Sequence, residues 1–153
     1  MRTKLSGIVF FIVIALSACK QNHYFSEYKP VDINSWKSAD TLLYVLDIDD
    51  SKALYDIAIS VRHQKNYEFS NLWLNIIDNY SNINTTFRLE VPLFKKDGKP
   101  YGRVSGSLCT QNMPFQKNIK FPKSGKYKIK VVQLMRKDPL DGISDIGVIV
   151  DKK

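Results

Sequence analysis

Apolar and polar residues alternate with a period of two along much of the chain, and no window carries the three-to-four-residue spacing of an amphipathic helix. The clearest run is Leu54 to His63, where Tyr55, Ile57, Ile59 and Val61 fall on one side and Asp56, Ser60 and Arg62 on the other. That pattern predicts a strand buried on one face. Lys126 to Leu134 repeats it, with Tyr127, Ile129 and Val131 set against Lys126, Lys128 and Lys130. Asn71 to Ile77 puts Leu72, Leu74 and Ile76 on one side, and Trp73 and Ile77 on the other. Thr41 to Ile48, Thr85 to Val91, Arg103 to Thr110, Asn118 to Phe121 and Ile143 to Val150 are further strand candidates. Between them lies turn chemistry: Asp97-Gly98, Pro122 to Gly125, and Asp138 to Gly142. Within the closing run, Gly147 predicts a bulge or a close backbone approach. Seven or eight short strands without helices or repeats predict an all-β fold, a two-sheet antiparallel β-sandwich of immunoglobulin-like or jelly-roll-like kind.

The start of the chain breaks the alternation. Arg2 and Lys4 precede the unbroken apolar stretch Ile8 to Leu16, which ends at Ser17-Ala18-Cys19. A basic start, a short apolar stretch and small residues at a cleavage point make a secretory signal. The stretch is far shorter than the ~20 apolar residues that span a bilayer. Leu16-Ser17-Ala18-Cys19 reads as a lipobox, whose small residues let a peptidase cut before an acylated Cys19; the bland alternative is an ordinary signal with an incidental cysteine. The expected organisation is a signal over residues 1–18, a lipidated tether and irregular lead-in over 19–39, and a β-sandwich over 40–153. The lead-in holds Tyr24, Phe25, Tyr28, Pro30 and Trp36, too many large residues for a solvated linker, so part of it is expected to pack on the domain.

Composition then narrows the chemistry. The 153 residues carry 23 Lys and Arg against 15 Asp and Glu, a net +8, with two Cys and two His. Removing residues 1–18 leaves 135 residues with 21 basic side chains against 15 acidic, a net +6. So few Cys and His supply no zinc cluster and no disulfide framework, and no metal or cofactor is expected. With Cys19 lipidated, Cys109 stands alone and reads as a small buried hydrophobe; a nucleophilic role would need His23 or His63 as base. Asp47-Ile48-Asp49-Asp50-Ser51 opens like a calcium loop, but Lys52 and Ala58 stand where that loop needs Gly and Glu, so an acidic turn is expected. Lys117, Lys120, Lys123, Lys126, Lys128 and Lys130 form either a face for anionic headgroups or an acidic partner, or the solvated side of one strand and its preceding turn. An exported lipoprotein rarely meets nucleic acid, so none is expected. Tyr67, Phe69, Trp73 and Tyr80 would suit sugar stacking if exposed in a row, and core packing otherwise. No Gly-x-Ser-x-Gly elbow, phosphate loop or His-Glu-x-x-His helix is present.

Trp36 followed by Asp40-Thr41, the run Tyr55 to Arg62, the block Tyr67 to Leu74, Met135-Arg136 and Leu140 to Gly147 together resemble the gliding motility lipoprotein GldH family of Bacteroidetes. The resemblance runs from the lipobox to the C-terminus. Its most specific positions are Asn71, Leu72 and Trp73, then Met135, Arg136, Gly142, Asp145 and Gly147, which read as architectural. Arg136, near Asp138, Asp141 and Asp145 in sequence, is expected to tie the last two strands. Asp40-Thr41-Leu42 also matches the loose O-glycosylation pattern of that phylum. The resemblance implies a membrane lipoprotein of a motility or secretion-associated assembly, with no enzymatic activity, cofactor or catalytic residue. The expected protein is therefore a non-enzymatic accessory, anchored through Cys19 on the periplasmic side of the outer membrane and acting by contacts with other envelope proteins. A glycan-binding module is the alternative, and an enzyme with a hidden carboxylate pair about 5 to 10 Å apart the third reading.

Overall fold

A computed structural model describes residues 23–80 and 85–153. Nine strands form among the described residues: β1 (Phe25–Pro30), β2 (Leu42–Ile48), β3 (Tyr55–Gln64), β4 (Asn71–Asp78), β5 (Thr85–Pro92), β6 (Arg103–Ser105), β7 (Leu108–Ile119), β8 (Gly125–Gln133) and β9 (Ile143–Lys152). They pair antiparallel into a five-stranded sheet, ordered β1-β9-β3-β7-β6, and a four-stranded sheet, ordered β2-β8-β4-β5. The two sheets close on one core, as the alternation predicts. Tyr55, Ile57, Ile59 and Val61 of β3 meet Ile146, Val148 and Val150 of β9 on one side, and Tyr44, Leu46, Leu72, Leu74, Ile76, Ile129 and Val131 complete the core from the other.

Three segments depart from the sequence expectation. The lead-in, read as irregular, contains β1, which pairs with β9 from Phe25 to Pro30. Its residues do not alternate cleanly because an edge strand is wetted on several sides. The single strand expected from Arg103 to Thr110 is a hairpin, β6 and β7, turned at Gly106 and Ser107 between the paired Ser105 and Leu108. Gly106 has φ +60°, the left-handed region that a two-residue hairpin turn requires and glycine enters freely. The short strand expected from Asn118 to Phe121 is the end of β7, which runs unbroken from Leu108 through Pro114. That proline is tolerated because β6 pairs only with Leu108 to Thr110, leaving β7 open on that side beyond them.

At Gly147 the register with β1 is continuous, so the glycine marks a close approach and not a bulge. A Cβ there would lie 2.6 Å from a ring carbon of Tyr28. The Tyr28 ring crosses the glycine, donates its hydroxyl to Ser60 at 2.9 Å, and has the Arg62 guanidinium carbon 3.9 Å from its centroid. Gly147→Ala is expected to push Tyr28 out of this seat at a cost of about 1 to 3 kcal/mol, the usual range for overpacking. Thermal unfolding checks it, with Tyr28→Ala added. The double variant should lose much less than the sum of the two single variants, because the alanine Cβ then meets no ring.

Registers also give the sandwich two poles. His23, the β2–β3 turn, the β7–β8 turn and Lys152 gather at one end, where Ile48 pairs with Gly125 and Tyr55 with both Ile119 and Lys152. At the other end Trp36 bridges Leu140, Asn71 pairs with Pro92, and the Gln64 amide donates to Gly142. The ten residues of β3 run from the first pole to the second, a span of about 30 Å at ~3.3 Å per residue.

Candidate functional site

Cys19 and the signal lie outside the described residues. His23, the first described residue, is four positions beyond Cys19, a reach of at most about 14 Å for extended chain. Where the chain enters the domain it is pinned at once. The Tyr24 hydroxyl donates to the Asp47 carbonyl at 2.8 Å and to the Asp49 carboxylate at 3.0 Å, and its ring meets Tyr55 edge-on at 5.3 Å. His23 Nδ1 lies 2.6 Å from Asp151.

The acidic turn sits beside this entry point. Lys152 takes Asp49 at 3.1 Å and Asp50 at 3.6 Å, and the Lys52 amide donates to Asp50. Lys152 and the Tyr24 hydroxyl hold Asp49 below the ordinary carboxylate range, and the Lys52 amide does the same for Asp50. Both carboxylates are thus engaged in bracing the β2–β3 turn. Among the described residues no three His, Cys, Asp or Glu side chains are grouped to hold a metal.

The lysine run divides in two. Lys117, Lys120 and Lys123 flank the β7–β8 turn at the His23 pole, whereas Lys126, Lys128 and Lys130 stand on the outer face of the four-stranded sheet. All six are exposed. Of the four aromatic residues considered for sugar stacking, Tyr67 and Tyr80 are in the core and Phe69 packs on Tyr67, leaving Trp73 exposed; the row that stacking needs is not formed. His63 pairs with Cys109 across β3 and β7. Both are fully buried, and no hydrogen bond joins them. Burial lowers the His63 pKa, which favours the neutral ring, while Nδ1 bonds the Gln64 carbonyl at 2.9 Å. A thiol and a neutral imidazole sealed among Phe94 and Tyr67 have no route to a substrate, so the pair is core.

The positions singled out by sequence converge on the far pole, except Asp145 and Gly147, which continue into β9. Tyr67 donates its hydroxyl to the Asn71 carbonyl at 3.2 Å, and Asn71 Nδ2 donates to Glu90 at 2.6 Å. Leu72 is buried. The Trp73 amide meets Met135 Sδ at 3.3 Å, while the Leu134 amide donates to the Trp73 carbonyl at 2.8 Å. Gly142, at φ +84°, backs onto the Tyr67 ring, which a Cβ would approach to 3.0 Å. Trp36 and Leu140 exchange both main-chain hydrogen bonds at 2.8 Å, and the Gly142 amide donates to Ile33 at 2.6 Å. Ser38 is bound to Asp138, which Gln133 also reaches.

Arg136 does not tie the last strands. It is exposed and forms no ion pair among the described residues; Lys137 instead ties the β8–β9 loop to the β3–β4 loop, with Glu68 at 2.6 Å and Asp141 at 2.8 Å. The i, i+4 spacing of Lys137 and Asp141 was visible in the sequence, but Glu68 comes from a loop that only folding brings near. Asp145 faces Arg62 across β9 and β3 and accepts from the Ser144 hydroxyl at 2.7 Å. Thr41 is exposed just before β2.

Residues 23–150 match the family model described as GldH lipoprotein. The chain is 31% identical to a gliding motility lipoprotein GldH homolog of Christiangramia forsetii, over 99% of this chain and 98% of that protein. It is 29% identical to the gliding motility lipoprotein GldH of Flavobacterium johnsoniae, over 100% of this chain and 99% of that protein. No solved structure matches.

Proposed function

We propose, for a chain that belongs to the GldH lipoprotein family, the work of a non-enzymatic accessory lipoprotein in a gliding-motility or secretion-associated envelope assembly. The domain hangs from the outer membrane on lipidated Cys19, faces the periplasm, and acts through protein contacts. The observation that carries this reading is the division of labour between the poles. A tether of four residues keeps the His23 end close to the headgroups, and the family positions Asn71, Trp73, Met135, Arg136 and Gly142 gather about 30 Å away, at the end free to meet other proteins. The relatives' names, gliding motility lipoproteins, support the kind of assembly.

Cross-linking in native membranes is expected to recover the same envelope proteins in repeated preparations, with yield reduced when Arg136 and Trp73 are both replaced by Ala. Failure to recover any reproducible protein partner would overturn the accessory role.

A further inference from the structure

Each sheet ends in edge strands, whose unpaired main-chain groups can pair with another extended chain unless charge, proline, bulging or shortness blunts them. Three of the four edge strands here are blunted, and the length of β7 that β6 leaves open carries Pro114 and Lys117. β1 carries Lys29 and Pro30, β5 carries Arg88, Glu90 and Pro92, and β6 is three residues long. The fourth, β2, reads Leu-Leu-Tyr-Val-Leu-Asp-Ile, with no lysine, no proline and an unbroken register against β8.

Its one charged residue, Asp47, lies toward the tethered pole, where its carbonyl is taken by the Tyr24 hydroxyl. Tyr24 comes from the β1 side, so the Asp47 carbonyl points off the sheet, away from β8. Main-chain groups alternate along a strand, so those of Val45 and Leu43 point off the same edge. They make no hydrogen bond among the described residues.

The side chains around this open row suit a protein strand. Leu43 is 38% exposed and Val45 41%; with Trp73 and Leu134 they make four of the six large exposed hydrophobics among the described residues, all on or beside the outer face of the four-stranded sheet. Behind them on β8, Lys130 pairs in register with Leu43 and Lys128 with Val45, and neither ammonium has a carboxylate partner among the described residues. Apolar edge and unanswered lysines together call for an occupant that is extended, partly aliphatic and acidic.

We infer that β2 is a docking edge: an extended segment of another envelope protein adds beside Leu43 and Val45 as a fifth strand of this sheet, its outward row mixing aliphatic side chains with carboxylates that reach Lys128 and Lys130. Main-chain bonds supply the affinity and the lysines the choice of partner. The added strand lies about 5 Å from β2 and about 10 Å from β8, a gap that a glutamate and a lysine span together. The inference rests on the accessory role, and names the surface and the chemistry of the partner.

The test uses the full-length lipoprotein in the membranes of the cells that make it, with a photo-cross-linking residue at position 43 or, separately, at position 136. A protein adduct is expected from position 43, falling at least tenfold in Val45→Pro and in Lys128→Glu/Lys130→Glu. The proline removes an amide that points away from β8, so the β2–β8 ladder stays intact; the exposed charge reversals give a second variant should the proline unfold the domain. Amide exchange at Leu43 and Val45 is expected to be slowed at least tenfold in membranes relative to the purified protein. An adduct unchanged by both variants, an adduct of twice this chain's mass, or a purely lipid adduct overturns the docking edge. A protein adduct from position 136 with none from 43 overturns it while leaving the accessory role standing, whereas silence at both positions removes both.

Discussion

Cys19→Ala is expected to abolish incorporation of labelled palmitate and, once the signal is removed, to move the protein from the membrane pellet to the soluble fraction. Each acyl methylene buried in the bilayer contributes ~0.8 kcal/mol, so two or three chains on Cys19 would hold the wild type essentially permanently. The remaining attraction is small. A lysine near an anionic surface adds about 1 kcal/mol; at this pole Lys152 and Lys153 are engaged by Asp49 and Asp56, and the exposed Lys117, Lys120 and Lys123 would together supply about 3 kcal/mol, far less than one acyl chain. Because an uncut signal would itself hold the variant to a membrane, the companion is a chain beginning at Lys20 behind a conventional cleavable signal, which should be soluble throughout. If that chain still pelleted and the wild type took up no label, Cys19 would not be the anchor.

The second large effect is on stability. Trp36→Ala is expected to cost about 3 to 5 kcal/mol, as for other fully buried aromatic residues, lowering the melting temperature by roughly 10 to 20 °C. The indole is 1% exposed, its ring NH points to the Asp40 carbonyl at 3.4 Å, and its main chain is bridged to Leu140. Through that bridge it fastens the lead-in to the loop carrying Met135, Asp138 and Gly142. Thermal unfolding of the detergent-solubilised full chain measures the loss. Trp36→Phe should recover part of it. A loss below about 1 kcal/mol would mean that the far pole is closed by other contacts.

How much was legible in the sequence depended on the range of the forces involved. The alternation in Tyr55 to Val61 and Tyr127 to Val131 is local, because a strand's pleat sends neighbouring side chains to opposite faces whatever the strand pairs with. Those strands, and the two-sheet antiparallel sandwich they imply, are therefore as expected. β1 was legible as a packed lead-in but not as a strand: its pairing with β9 and the seat of the Tyr28 ring over Gly147, 119 positions away, are set by distant residues. The turn at Gly106 was hidden for a different reason, since Ser-Gly-Ser inside a polar run fits either a strand or a hairpin until β7 is seen to fold back. Family positions were visible as residues but not as a place. Asn71, Trp73, Met135 and Gly142 meet because Tyr67 touches both ends of the group and Met135 caps the Trp73 amide.

By itself, then, the sequence determined the strand-rich class and the scarcity of Cys and His, and it supplied the expectation of a secretory address with Cys19 as the candidate lipid cysteine. These are properties of composition and of short windows. Only the tertiary structure decided that the lysine run is two surfaces, that Lys137 and not Arg136 braces the far loops, that His63 and Cys109 face each other in the core, and that β2 is the edge left open. Each of those depends on which strand lies beside which. Pairing joins residues tens of positions apart through main-chain hydrogen bonds that are the same for every side chain, so no local pattern announces it.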